Sequence, residues 1–208
     1  MSLFTGHDLT CIRGERCVFQ GLSFSLAAGG ALMLVGPNGS GKSSLLRLMA
    51  GLGRPAAGAI RWNDEDIAQD GETHNARLHY VGHGDAVKPV LTAEENVAFW
   101  AAVRGGGDAV TGLAAFGAEK LGPVPGRFLS AGQRRRVNLA RLAAHPAPLW
   151  ILDEPATALD RDSVARLQHA MARHRAGGGL VALSSHGGID IPDATTLDLA
   201  PYAEEAAA

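Results

Sequence analysis

The chain has 208 residues, 46% hydrophobic and 19% charged, which is ordinary globular usage with enough apolar material for a buried core and excludes a disordered chain. At roughly 150 residues per domain, this length favours one domain with lobes over two separate domains. Nineteen Lys plus Arg against 21 Asp plus Glu give a net charge of −2, which argues against an electrostatic grip on nucleic acid or anionic lipid. The two cysteines, Cys11 and Cys17, are too few for a disulfide framework and lack the C-x-x-C spacing of a zinc or redox site, so a reducing cytoplasmic compartment fits. The opening Met1-Ser2-Leu3-Phe4 has neither the basic nor the apolar region of a signal peptide. The longest apolar stretch, residues 22–36, is broken by Ser23, Ser25 and glycines and is not expected to span a bilayer.

Residues 3–26 alternate loosely, with turns at Gly14-Glu15 and Gln20-Gly21, and read as antiparallel strands. Residues 31–35 form a continuous apolar run, the pattern of a strand buried on both faces. A glycine loop at 36–41 follows, then a short helix at 43–50 that stops at Gly51. Further strands are expected at 78–81, 149–152, 180–184 and 196–199, with helices at 93–104, 130–144 and 162–175. Strands alternating with helices imply a parallel core sheet, so the fold class is α/β. Residues 92–126 carry a single helix pattern and no strand pattern, and a helical lobe is expected at about 84–140. The alanine-rich tail from Pro201 reads as frayed.

Gly36-Pro37-Asn38-Gly39-Ser40-Gly41-Lys42-Ser43 fits G-x-x-x-x-G-K-[ST] and lies between an expected strand and an expected helix, the context that marks a phosphate loop. Glycines let successive backbone N–H groups turn inward around phosphate oxygens, and the helix behind them, opening through Ser43 and Ser44, adds its positive end. Lys42 would reach the β and γ phosphates, and Ser43 can ligate Mg²⁺. Residues 149–152 are an apolar strand that runs into Asp153 and Glu154. Two carboxylates at the carboxyl edge of such a sheet divide labour: Asp153 holds Mg²⁺ or its water, and Glu154 polarises the attacking water as a general base.

Leu129-Ser130-Ala131-Gly132-Gln133 opens a helix, and a helix start of small residues with free N–H groups is an anion site; a plain Ser cap is the local alternative. Together with the phosphate loop, the paired carboxylates, Ala158-Leu159-Asp160 and His186, this pentapeptide resembles the ordered motifs of the ATP-binding-cassette (ABC) ATPases over roughly residues 3–199. The resemblance implies a phosphate-loop core sheet, an antiparallel β layer and a small helical subdomain. It implies ATP and Mg²⁺ as ligands, with His186 as the switch histidine. Ser130, Gly132 and Gln133 would clamp a nucleotide held by a second subunit, so that two copies sandwich two nucleotides.

Two positions depart from the common pattern. Arg13 stands where most members stack an aromatic ring on adenine, so its guanidinium either stacks or is solvated. His83 stands where most members place a glutamine that couples Mg²⁺ to the helical lobe, so the resemblance implies that it sits by the ion, where a neutral imidazole can accept or ligate. Within the family the chain is most similar to the ATPase subunits of the haem exporters of bacterial cytochrome c biogenesis, through its brevity, Gly82-His83 and the stretches at 91–96, 129–137 and 147–155. That likeness implies an ATPase homodimer bound to integral membrane permease subunits at the cytoplasmic face of the inner membrane. An ABC ATPase for another cargo, or a soluble non-transport member, stays open. His74, His79 and His83 lack a carboxylate or Cys partner at matching spacing and are not read as a metal site. Arg134-Arg135-Arg136 reads as a solvated helix face, and Asp64-Glu65-Asp66 as a solvated turn; no nucleic acid partner is expected.

Overall fold

The computed structural model describes residues 2–185 and 187–203. In chain order the strands are β1 (Leu3–Arg13), β2 (Arg16–Ala27), β3 (Ala31–Val35), β4 (Ala57–Trp62), β5 (Glu65–Asp66), β6 (Leu78–Val81), β7 (Leu149–Asp153), β8 (Leu180–Ser184) and β9 (Thr195–Asp198). The α-helices are α1 (Lys42–Met49), α2 (Gly71–Ala76), α3 (Ala93–Val103), α4 (Ala109–Ala115), α5 (Ala131–Ala144) and α6 (Arg161–Ala176).

Two sheets form. An antiparallel sheet has the order β2-β1-β4-β5, and a parallel sheet has the order β6-β7-β8-β3-β9. The parallel strands β7 and β8 are buried at every position, because helices or the second sheet cover both faces. One core, holding Phe4, Phe19, Leu22, Leu45, Met49 and Trp62, fills the space around α1 between the two sheets. A second, holding Val97, Leu113, Leu139, Leu152 and Leu167, packs the helices against the opposite face. Strands β3, β6, β7 and β8 run the same way, so their carboxyl ends gather on one edge, where an α/β sheet presents its ligand site.

The hairpin at Gly14-Glu15 forms as expected, pairing Arg13 with Arg16, but Gln20-Gly21 is not a turn: β2 continues through it with a shift of register against β1, Gly21 standing at φ 71°. The antiparallel layer also contains β4, whose sequence Ala-Gly-Ala-Ile-Arg-Trp has too little alternation to announce a strand, and β5, the Glu65-Asp66 pair of the expected solvated turn. The stretch with one expected helix holds two, since α4 follows Gly107 and is capped by Asp108, whose carboxylate accepts from the Val110 and Thr111 amides. Gly112 inside that helix lets it lie against α5: a Cβ there would come within 2.6 Å of the Ala140 carbonyl oxygen.

Candidate functional site

Strand β3 delivers the chain into the loop at 36–41, and α1 starts at Lys42. Gly41 has φ 99°, and a Cβ on it would strike Val18 and Phe19 at 2.8 and 2.7 Å, so the turn into the helix requires glycine on two counts. Lys42 is nearly buried, and its ammonium donates to the carbonyls of Gly36 and Pro37 at 2.8 and 3.1 Å, which curls the loop around its own cation. Ser40 is 3% exposed with its Oγ lacking a partner among the described residues, a donor held beneath the loop. The loop lines a cleft of about 570 Å³ whose walls include Asn38, Gly39, Ser43, Ser44, His83 and Glu154.

Strand β7 ends at Asp153, which is buried directly beside Ser43. Its Oδ1 accepts from Ser43 Oγ at 3.0 Å and from Ser184 Oγ at 2.7 Å, so phosphate loop, β7 and β8 converge on one carboxylate oxygen. A hydroxyl and a carboxylate at this separation are hard oxygen donors of the kind Mg²⁺ takes beside substrate phosphates. The donor set therefore fits that ion, which when bound would neutralise charge on phosphate oxygens. His83 is exposed on the cleft wall; imidazole is a poor direct ligand for Mg²⁺.

Glu154 has φ 49°, a left-handed backbone that costs a non-glycine residue of order 1–3 kcal/mol and turns its side chain out of the strand into the cleft. The strain is held in place from both sides. The Glu154 amide donates to Ser184 Oγ at 3.0 Å, and its carbonyl accepts from Arg135 Nη2 at 2.7 Å. Ser184 thus serves both acidic residues, the Asp153 carboxylate and the Glu154 backbone amide, a role that the sequence alone does not reveal because a serine ending a buried strand has no spacing signature. Arg16 and Thr157 also line the cleft unannounced, Arg16 opposite Arg13 at the hairpin mouth.

Ser130, Gly132 and Gln133 do not line this cleft. Ser130 caps α5 in a capping box: its Oγ accepts from the Gln133 amide at 3.3 Å and Gln133 Oε1 accepts from the Ser130 amide at 2.8 Å. The Ala131 and Gly132 amides in the same first turn have no intrahelical acceptor. Gly132 is dictated by a neighbour as well, since a Cβ would lie 2.7 Å from the Ala158 carbonyl oxygen. Asp160 in that next loop caps α6 through the Ser163 amide. His186 lies outside the described residues.

Arg134-Arg135-Arg136 is not a solvated face. Arg135 is 2% exposed, and its neighbours are half-buried, Arg134 donating to the Leu129 carbonyl and Arg136 to the Gly117 carbonyl at 2.5 and 2.7 Å. Helix α5 is buried on most of its circumference, so three consecutive charges cannot all reach water. His74 and His79 are also buried and apart from the cleft, each paired through Nε2 with a backbone carbonyl, of Met49 and His145 respectively. Burial pushes the His79 pKa down to about 3 and the His74 pKa below its usual value.

A phosphate loop cradling a lysine, a hydroxyl–carboxylate pair and an acid on a turned-out backbone, all at the carboxyl edge of a parallel sheet beside an antiparallel layer, define a nucleotide-hydrolysing ATPase fold. The match to the ABC transporter family spans residues 19–157, and the chain belongs to that family of ATP-binding ATPases. The cytochrome c biogenesis ATP-binding export protein CcmA of Rhodospirillum rubrum is 58% identical over 206 residues, 98% of this chain and 88% of that protein. The protein of the same description from Paramagnetospirillum magneticum is 55% identical, over 97% of this chain and 96% of its own. Among solved structures, an ABC transporter ATP-binding protein from Pyrococcus furiosus superposes with a TM-score of 0.83 at 22% identity, covering 97% of this chain and all of that one, which is a shared fold. Among the described residues no helix is long and apolar enough to cross a membrane.

Proposed function

We propose that the chain is the ATP-hydrolysing subunit of an export complex serving c-type cytochrome maturation, with a haem-related cargo. The observation that carries this reading is the 58% identity across 98% of the chain to a relative described as a cytochrome c biogenesis export ATPase. The chain works as one ABC ATPase domain with a helical subdomain at about 84–140. It binds peripherally at the cytoplasmic face of the inner membrane, against integral permease subunits that carry the transport path.

In the hydrolytic site Lys42 and the loop amides between Gly36 and Ser44 would hold the phosphates, Ser43 with Asp153 would hold Mg²⁺, and His83 would reach the attacking water or a water on the ion rather than the ion itself. Glu154 takes the proton of that water as general base, and His186 steadies the γ phosphate. Arg13 packs on the base. Ser130, Gly132 and Gln133 act on the nucleotide of a second copy, so the working unit is a head-to-tail homodimer that closes on two ATP molecules. Support for the split comes from the absence of this segment from the lining of the chain's own cleft, together with the anion-binding character of a small-residue helix start.

The test is genetic and biochemical. Cells lacking the protein are expected to lose mature c-type cytochromes and to regain them with the parent chain but not with Lys42→Ala. Membrane permease subunits are expected to co-purify with it after solubilisation. Normal cytochrome maturation without the protein would remove the export assignment and leave the ATPase standing.

A further inference from the structure

Arg135 lies on α5, two residues beyond Gln133, and each of its five N–H donors has an acceptor. Nη2 donates to the carbonyls of Asp153 and Glu154 at 3.0 and 2.7 Å, and Nε to that of Pro155 at 3.1 Å. Nη1 donates to the Gly82 carbonyl at 3.0 Å and pairs with Asp85 Oδ1 at 3.2 Å. The same Asp85 oxygen accepts from Asn138 Nδ2 at 3.3 Å, so α5 grips this carboxylate from two residues on one face. Arg134 and Arg136 reach only the loops at Leu129 and Gly117. Arg135 alone of the three joins α5 to the three consecutive carbonyls at the end of β7 and to the segment on both sides of His83.

The consequence falls on Glu154. Its left-handed backbone is held by Ser184 Oγ on its amide and, on its carbonyl, by the Thr157 amide within its own turn at 3.2 Å and by Arg135, the contact that comes from α5. A guanidinium is planar and rigid, so a shift of the Gly82–Asp85 segment moves the fork, and the fork moves the peptide that aims the carboxylate. We propose that Arg135 is a positioning residue for hydrolysis, holding Glu154 in register and linking it to the 82–85 segment beside the cleft. The proposal rests on Glu154 being the general base.

The test uses the full chain as Arg135→Lys, Asp85→Asn and Glu154→Gln, singly and in pairs, with saturating-ATP turnover and titration of a fluorescent ATP analogue. A lysine has three donors on one point and cannot span five acceptors. Arg135→Lys is expected to lower kcat about 10–100-fold, the loss that a misplacement near 1 Å produces, with analogue affinity within about threefold of the parent. Asp85→Asn is expected to lower kcat less, in the same direction. In the Glu154→Gln background neither change should reduce the residual turnover by more than about twofold, because the carboxylate that they aim is gone. A merely structural role predicts loss of affinity alongside rate, and undiminished fold losses in that background; either result overturns the proposal. If thermal melting shows Arg135→Lys to be unfolded, the cycle of Asp85→Asn with Glu154→Gln decides alone, and full multiplicative losses there overturn it. Near-parental turnover of Glu154→Gln would instead remove Glu154 as base, a failure distinct from a parental rate in Arg135→Lys.

Discussion

Ser43 Oγ donates a 3.0 Å hydrogen bond to Asp153 Oδ1 across 110 residues of sequence, so the first residue after the phosphate-loop lysine and the last residue of β7 share one point in space. The contact places the Asp153 carboxylate directly behind Ser43, which lines the cleft. It follows that Asp153→Asn should weaken the Mg²⁺ requirement specifically: binding of ATP analogue without Mg²⁺ stays within about threefold of the parent, while the tightening that Mg²⁺ brings is largely lost. Titrations with and without Mg²⁺ check it. Equal tightening by Mg²⁺ in parent and variant would take the ion away from Asp153.

Lys42→Ala removes the cation around which the Gly36 and Pro37 carbonyls close. With no other lysine or arginine in the loop itself, the phosphates lose their point charge, and turnover is expected to fall at least about 100-fold. Steady-state ATPase measurement decides this, and a rate within threefold of the parent contradicts it.

Glu154→Gln keeps the side chain's shape in the cleft but cannot accept the water's proton. ATP binding should persist while hydrolysis falls to a small residual rate, which holds the pair of chains closed. Size-exclusion with ATP and Mg²⁺ is expected to show a dimer that the parent does not hold; a monomer throughout counts against the shared site.

The parts of this site that were legible in the sequence are those whose chemistry demands a residue type at a fixed spacing. Gly41 must adopt φ 99°, Lys42 must follow it, and an apolar run must place Asp153 and Glu154 at a sheet edge. Ser184 and Arg135 were not legible, because each acts through tertiary geometry. A serine at a strand end and an arginine in a basic run carry no periodicity that separates them from solvated residues. The helix α4 and strand β4 escaped for a related reason: Gly107, Gly112 and Gly58 interrupt the apolar periods, and only packing against α5 and β1 selects the element.

Stability should fall with acid through a buried histidine. His79 is 2% exposed, its Nε2–H donates to the His145 carbonyl at 2.8 Å, and burial holds its pKa at about 3 against 6.5 when free. The folded value is the lower one, so the unfolded chain binds the proton first. The stabilising contribution is complete above pH 6.5 and is lost as pH falls toward 3, at about 1.4 kcal/mol per pH unit across the window. His74 and His174, also lowered by burial, add in the same sense. His79→Gln keeps a donor for the carbonyl and removes the titration. Denaturant unfolding between pH 7.5 and 5 is expected to show a shallower loss in the variant, and identical slopes would refute the assignment.

The remaining prediction separates a cap from a clamp at Ser130. In this chain the Ser130 hydroxyl is spent on the Gln133 amide, and the residue stands away from the chain's own cleft. If it served only α5, Ser130→Arg would cost about 1 kcal/mol of stability and leave the chemistry of each cleft alone. If its helix start faces a second copy's phosphate, a bulky arginine there blocks closure. Turnover then falls at least about 100-fold, while one chain's affinity for ATP stays within about threefold of the parent. Mixing distinguishes the two. Lys42→Ala chains have a defective loop and an intact Ser130, and Ser130→Arg chains have the reverse, so a mixed dimer contains one composite site built from both intact halves. Each variant alone should be inactive and the mixture should regain a measurable fraction of parental turnover, up to about a quarter at equal proportions: half of the dimers are mixed, and each carries one working site in place of two. Near-parental turnover of Ser130→Arg alone would assign Ser130 to its cap, and silence in the mixture, with both variants folded and Lys42→Ala able to dimerise, would reject the composite site.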